Sequence, residues 1–234
     1  MVLDFKYAYL ALTIPFIIIW ILFFIFSKKT RFEQIVMSLL LAPAGPISEI
    51  LYFQDYWRPE SILFTNIGSV RIFFEDLLFC FLVGGVGSVI YEAIFRKHLR
   101  KIKKINYKTG LIAIVITVLV ISYLLFKVGV NSIFSTSIAA ILGTVLIISQ
   151  RKDLLLDSIF SGLGLMLVMF LSYFLLSLFV LNVEELLRKG WLLYESSLDL
   201  RIVRNIPLTE MIWGFSWGML IGPLYEFARK KRPI

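Results

Sequence analysis

The chain of 234 residues is poor in the residues on which much catalysis and metal binding depend. It has one cysteine, one histidine and sixteen acidic residues. A single cysteine excludes an internal disulfide and a cysteine metal cluster. Cys80 lies inside an apolar run, as a small packing residue. The lone histidine, His98, sits in the basic stretch RKHLRKIKKINYK, where solvation is its expected state. No phosphate-cradling glycine loop, dinucleotide fingerprint or metal-ligand spacing occurs, so neither a metal nor a cofactor is expected. Charged residues are also scarce at 17%, where a soluble domain carries roughly a quarter.

What the chain has instead is apolar surface, with 59% hydrophobic residues. A soluble fold of this length cannot hide so much, but lipid can. At roughly 20 residues per crossing, the length allows about seven helices with short loops. The runs predict helices at 7–27, 34–53, 72–95, 109–127, 132–150, 155–181 and 206–228. The first run is too long for a signal-peptide core and its basic cluster follows it, so it is expected to stay as a membrane helix. Between 54 and 71 a loop containing Trp57 is expected, and 182–200 reads as an interfacial amphipathic segment.

The net charge of +8 does not point to nucleic acid, because the bases gather at the ends of apolar runs. Sixteen Lys and Arg fall on one side of the expected crossings and eight on the other. The richer side is expected to be cytoplasmic, giving a multi-pass cell-membrane protein with its amino end outside and its carboxyl end inside.

An internal repeat organises the chain. A shift of 134 positions aligns 57–97 with 191–231 without a gap. It matches Trp57 with Trp191, Asp76 with Glu210, Phe79 with Trp213, Gly84 with Gly218, Tyr91 with Tyr225 and Glu92 with Glu226. An even number of helices separates the copies, so they are expected to be parallel about an axis along the membrane normal. The expected fold class is all-α: a polytopic membrane protein of two parallel three-helix repeats. The first spans 1–97 and the second 131–234, with a basic loop and connecting helix at 98–130.

Ionisable groups at membrane depth are costly and suggest function. Glu49 ends the second expected helix after two prolines, Glu75 and Asp76 open the third, and Glu210 opens the seventh. Each also has a plainer reading. A carboxylate near a helix N-terminus complements the macrodipole and caps free N–H groups, Glu75 and Asp76 could be wetted interfacial charges, and Glu49 could satisfy backbone loosened by the prolines. Helical spacing stacks Trp213 and Trp217 under Glu210, and Phe79 under Asp76. An acid with an aromatic face one turn deeper suits a reaction through a carbocation, because the ring steadies positive charge without attacking it. A lipid-facing aromatic belt would give the same pattern. Tyr91–Glu92 and Tyr225–Glu226 lie too far along their helices to join these acids and read as helix-end anchors.

The segments WRPESILFTNIGSVRIFFEDLLF and WLLYESSLDLRIVRNIPLTEMIW resemble the repeat of the membrane-bound, non-flavin lycopene cyclases. That family occurs as paired small subunits or as a tandem fusion, and has a loop tryptophan followed by a Pro-x-Glu-Glu-x-x-Phe-Phe helix start. Phe73 stands here where the first proline should be, with Glu75 and Asp76 keeping the acid pair. The second copy keeps Pro207 and Glu210, while Thr209 replaces one acid. The resemblance implies an intramembrane isomerase acting on a carotenoid or related isoprenoid, with Glu75, Asp76 and Glu210 as catalytic acids or bases. Glu49, Phe79, Trp213 and Trp217 would line the substrate site. Expected partners are a hydrophobic polyene, membrane lipid and, as an open alternative, further copies of the chain, but no nucleic acid. The contrasting reading is a small transporter or lipid-binding protein that reuses the scaffold without cyclase activity.

Overall fold

The computed structural model describes residues 5–58, 60, 62–67, 70–97, 99–101, 108–179, 183–229 and 231–233. Lys103, Lys104 and Lys230, all part of the charge argument, lie outside the described residues, as do His98 and Asn182. Among the described residues the fold is all-α apart from three short two-stranded pairings.

Each predicted apolar run contains a helix, though 72–73 and 206–207 are strand and 180–181 lie outside the described residues. The first forms α1 (Ala8–Phe26), whose Ile14, Ile18, Ile21 and Ile25 are exposed. Apolar side chains facing outward along a long helix are what lipid contact requires, since such a helix already satisfies its own backbone. The second run is not one helix. It breaks into α2 (Arg31–Leu41) and α3 (Ala44–Asp55), bent by 45°. Pro43 and Pro46 flank the start of α3, and a proline both lacks an N–H and crowds the carbonyl four residues back. The bend turns the lower part of this segment into the bundle.

The expected loop at 54–71 contains a β-hairpin, β1 (Phe64–Ile67) against β2 (Val70–Phe73), which runs directly into α4 (Phe74–Phe95). A strand β3 (Leu99–Lys101) follows. Helix α5 (Lys108–Tyr123) ends in a π-helical turn, Leu124–Val128, closed by Gly129 with φ of 75°, a left-handed conformation that glycine adopts without a steric penalty. Helix α6 (Ser132–Gln150) is capped from outside as well as by Asn131. Asp55, at the end of α3, accepts bonds from Ser132 N at 2.9 Å and Ser132 Oγ at 2.5 Å. This acid at a helix N-terminus ties α3 to α6.

Helix α7 (Leu155–Phe179) is followed by the short α8 (Val183–Gly190). A turn-rich segment then leads through β4 (Arg201–Ile202) and β5 (Ile206–Pro207) into α9 (Leu208–Arg229) and β6 (Lys231–Pro233). The interfacial segment expected at 182–200 is therefore helical only over α8.

Among the described residues four helices are long and apolar enough to cross a membrane: α1, α4, α6, and α7 with the short turn before it. The bent pair α2–α3 makes a fifth. The apolar part of α5 with its π turn is shorter. Helix α9 is as long as α4 but more polar, and it packs against α4, α6 and α7. Close approach is built in. A Cβ on Gly218 would meet Ser161 O at 2.6 Å and Gly162 Cα at 2.8 Å, so glycine lets the backbones of α7 and α9 touch.

Helices α4 and α9 run in the same direction. Asp76 and Glu210, near their starts, line one cavity, while Glu92 and Glu226, near their ends, meet in one cluster. Their bounds are offset by the same 134 positions as the sequence repeat. Trp57 bridges Trp191 and Leu99 pairs with Pro233, both antiparallel. Each of these pairs joins positions related by that offset.

Candidate active-site cavity

At the end of the bundle where α4 and α9 begin lies a cavity lined by residues of α1, α3, α4, α6, α7 and α9. Three carboxyls reach it from three helices: Glu49 of α3, Asp76 of α4 and Glu210 of α9. Their residues are only 4%, 3% and 8% exposed.

The bend after Pro43 explains how Glu49 arrives. On α3, Glu49, Tyr52 and Tyr56 follow at i, i+3 and i+7, which is one helical face, and all three line the cavity. Gly45, one turn earlier, sets how closely that face approaches α4. A Cβ at Gly45 would lie 2.2 Å from the carbonyl oxygen of Asp76. Glycine is required there by close approach, and the approach places Glu49 beside Asp76. Each acid keeps an oxygen that accepts no hydrogen bond, Oε1 of Glu49 and Oδ2 of Asp76. The Tyr9 hydroxyl of α1 sits next to Asp76.

Glu210 is held differently. Tyr56 donates to its Oε1 at 2.5 Å, and the Tyr173 hydroxyl of α7 reaches the same carboxyl. Thr209 Oγ1 is 3.0 Å from the Tyr56 hydroxyl. The aromatic wall is continuous: Phe79 stacks on Trp213 with centroids 5.7 Å apart, and Phe16 meets Phe79 edge-on at 5.5 Å. Trp213 Nε1 donates to the Tyr52 hydroxyl at 3.0 Å, and that hydroxyl is 2.8 Å from Thr136 Oγ1.

Among the residues singled out from the sequence, Glu49, Asp76, Glu210, Phe79 and Trp213 share this cavity. Glu75 does not. It is buried and accepts the Ile62 N–H at 3.0 Å, holding the chain just before β1. Successive helical residues point about 100° apart, so Glu75 and Asp76 cannot face one pocket. Trp217 lies one turn deeper, against Trp213 at 6.1 Å, outside the cavity wall. Glu184 and Glu185 are exposed on α8, Glu185 paired with Lys189 at 2.8 Å.

The sequence reading missed the tyrosines. Tyr9, Tyr52, Tyr56 and Tyr173 line the cavity from three helices, and two of them bond Glu210. The spacing of Glu49, Tyr52 and Tyr56 was the available signal. It also misjudged Glu92 and Glu226, which do not anchor helix ends: they meet Asp157 in a buried group, although no linear spacing suggested one.

The floor of the site is pinned by the tryptophan loops. Leu192 N donates to Tyr56 O at 2.8 Å and Arg58 N to Gly190 O at 2.7 Å, on either side of the Trp57–Trp191 bridge. Farther on, Arg201 bonds Asp199 through two nitrogens, and Leu208 N donates to Leu200 O at 2.8 Å, fixing the entry to α9 that carries Glu210.

No curated protein and no solved structure matches the chain. A family model described as lycopene cyclase matches residues 131–228, the stretch that runs from the cap of α6 through Glu210 and Trp213 to the end of α9. Over those residues, 98 of the 234, the chain is similar to the lycopene cyclases.

Proposed function

We propose that the chain is an intramembrane isomerase that closes the end group of a carotenoid or related linear isoprenoid. The observation that carries this reading is the convergence of Glu49, Asp76 and Glu210 on one cavity walled by Phe79 and Trp213. A cavity between apolar helices suits a hydrophobic polyene, and the three acids on its wall supply the groups for proton transfer.

The reaction balances without a redox partner. A proton leaves the Glu49–Asp76 pair and bonds to the terminal carbon–carbon double bond, whose π electrons form the new C–H bond. The tertiary cation that results is attacked by a double bond farther along the chain, forming the ring's C–C bond and moving the positive charge into the ring. Loss of an adjacent C–H proton to a carboxylate gives the ring alkene. Two neighbouring acids, each with an oxygen lacking a donor, are suited to hold the proton that is delivered. Glu210, held by Tyr56 and Tyr173, is placed in the same cavity to steady the cation and receive the proton. Phe79 and Trp213 stabilise the cation through their faces, an effect that grows when water is excluded. Catalysis then resides in interactions stronger with the cation than with the neutral polyene.

Two parallel three-helix units, 1–97 and 131–234, fit this site, because each contributes one of the helix-start acids. The orientation with the amino end outside would put the cavity toward the outer face. Reporter fusions at both termini test it, and a cytoplasmic amino end would overturn that orientation.

The direct test is expression in lycopene-accumulating cells, followed by chromatography of the extracted pigments. Cyclised product from the wild-type chain supports the reading. Unchanged lycopene beside well-inserted protein would defeat lycopene as the substrate.

A further inference from the structure

The second group of acids lies at the opposite end of α4 and α9. Glu92 of α4, Asp157 of α7 and Glu226 of α9 each bring a carboxylate oxygen within 4.8 Å of the others. The residues are 1%, 1% and 0% exposed. Glu33 of α2, also buried, adds its carboxyl beside Glu226. Four helices far apart in sequence thus deliver acids to one buried point.

Their hydrogen bonding is the second observation. Both oxygens of Glu92, both of Glu226 and Oδ2 of Asp157 accept no hydrogen bond. Asp157 Oδ1 has one donor, Ser161 Oγ at 3.1 Å. Glu92 borders a cavity whose wall includes Lys28, Lys29, Arg96 and Lys97, yet neither of its oxygens bonds to them. Buried carboxylates are normally paired, hydrogen-bonded or bound to metal. Here five of the six oxygens have no hydrogen-bond partner, and one oxygen from each residue lies within 4.8 Å of the others.

We propose that Glu92, Asp157 and Glu226 form a binding site for a hard divalent cation. The donor set is oxygen alone, which suits Ca²⁺, Mg²⁺ or Mn²⁺ rather than softer metals. Oxygens around Ca²⁺ sit roughly 2.3–2.6 Å from the ion and those around Mg²⁺ about 2.0–2.1 Å, so three of them sharing one ion are no more than about 4.5 Å or 3.6 Å apart. One oxygen from each acid already lies within 4.8 Å of the other two, so a small inward movement of the side chains closes the site. Bound there, the ion joins α4, α7 and α9 at the end away from the cavity. Sixteen residues of helix separate Glu92 from Asp76, about 24 Å. The ion therefore acts as a clasp between helices and takes no part in the proposed cyclisation.

The experiment uses the detergent-purified chain, stripped with a chelator and titrated with CaCl₂, MgCl₂ or MnCl₂. Calorimetry and thermal unfolding are read together, with bound Mn²⁺ counted by paramagnetic resonance. One saturable ion per chain is expected, with a melting temperature that climbs with ion concentration. Glu92→Gln and Glu226→Gln should each weaken binding at least tenfold, and Glu185→Gln, on the exposed face of α8, should not. Each amide removes a like charge from the cluster, so the stripped variants should melt no lower than the stripped wild type. Absence of saturable binding by all three ions at millimolar concentration would overturn the proposal. So would unchanged affinity in the doubly substituted Glu92→Gln, Glu226→Gln chain.

Discussion

Trp57 and Trp191 form an antiparallel bridge with each other, and they are the two tryptophans that the 134-residue shift superposes. Antiparallel pairing of a residue with its own repeat mate is what a two-fold axis through the bridge produces. At the other end of the bundle Leu99 pairs with Pro233, again mates under the same shift. With Cys80 replaced by serine, Trp57→Cys and Trp191→Cys should therefore form an intramolecular disulfide under mild oxidation, because directly opposed residues bring Cβ atoms to about 4.5–5.5 Å. Gel mobility with and without reductant reads the result. Failure to cross-link in a folded chain would separate the two loops.

The cavity acids predict a graded loss of product. Asp76→Asn, Glu49→Gln and Glu210→Gln keep shape but remove proton transfer. Each should lower cyclisation by roughly 10²- to 10⁴-fold while insertion and melting stay near wild type. Glu75→Gln should be far milder for the reaction, since Glu75 holds Ile62 rather than facing the cavity. Initial rates in isolated membranes, normalised to protein, measure this. Full activity in the double variant Asp76→Asn, Glu210→Gln would sink the mechanism.

Tyr56 supports Glu210, so its hydroxyl should matter more than its ring. Tyr56→Phe removes the donor at 2.5 Å from Glu210 and the partner of Thr209. A hydrogen bond to a charged group is worth about 1.5–3 kcal/mol. Thr209→Ala loses only the weaker neutral contact, about 1 kcal/mol. Thermal unfolding should rank the two in that order, and activity should follow the same order.

Gly45→Ala tests the packing that brings Glu49 to Asp76. Its methyl would meet the Asp76 carbonyl oxygen at 2.2 Å, and backbone cannot yield as a side chain does. Overpacking of this kind costs about 1–3 kcal/mol. Loss of activity larger than the loss of stability is expected, as α3 is levered off α4. A neutral outcome in both assays would mean that the α3–α4 approach is looser than the structure has it.

Asp199 carries the pH dependence of the loop before α9. Hydrogen bonds from Arg201 hold its carboxyl below the ordinary aspartate value, against a smaller opposing effect of burial. A carboxyl depressed on folding stabilises the fold above its unfolded pKa of about 3.9, and that contribution is lost as pH falls through the folded value. Asp199→Asn should therefore melt below wild type at pH 7, with the gap closing toward pH 3. A constant gap across that range would assign the effect to packing instead.

The sequence by itself determined the class of the molecule and most of its helices. Apolar runs of 19 to 25 residues at α1, α4, α6 and α7 need no tertiary information to be recognised, because a backbone in lipid must satisfy itself locally. The correspondence of α4 with α9 was legible too, since their residues match at one shift of 134 positions. Only the tertiary structure decided which carboxyls meet. The break between α2 and α3 could be expected from Pro43 and Pro46, but the angle that swings Tyr56 onto Glu210 could not. Nor could the meeting of Glu92, Asp157 and Glu226. These contacts join residues tens to more than a hundred positions apart, and they depend on how closely helices approach at Gly45 and Gly218. Helical period is a property of neighbouring residues, whereas convergence is set by packing between distant ones.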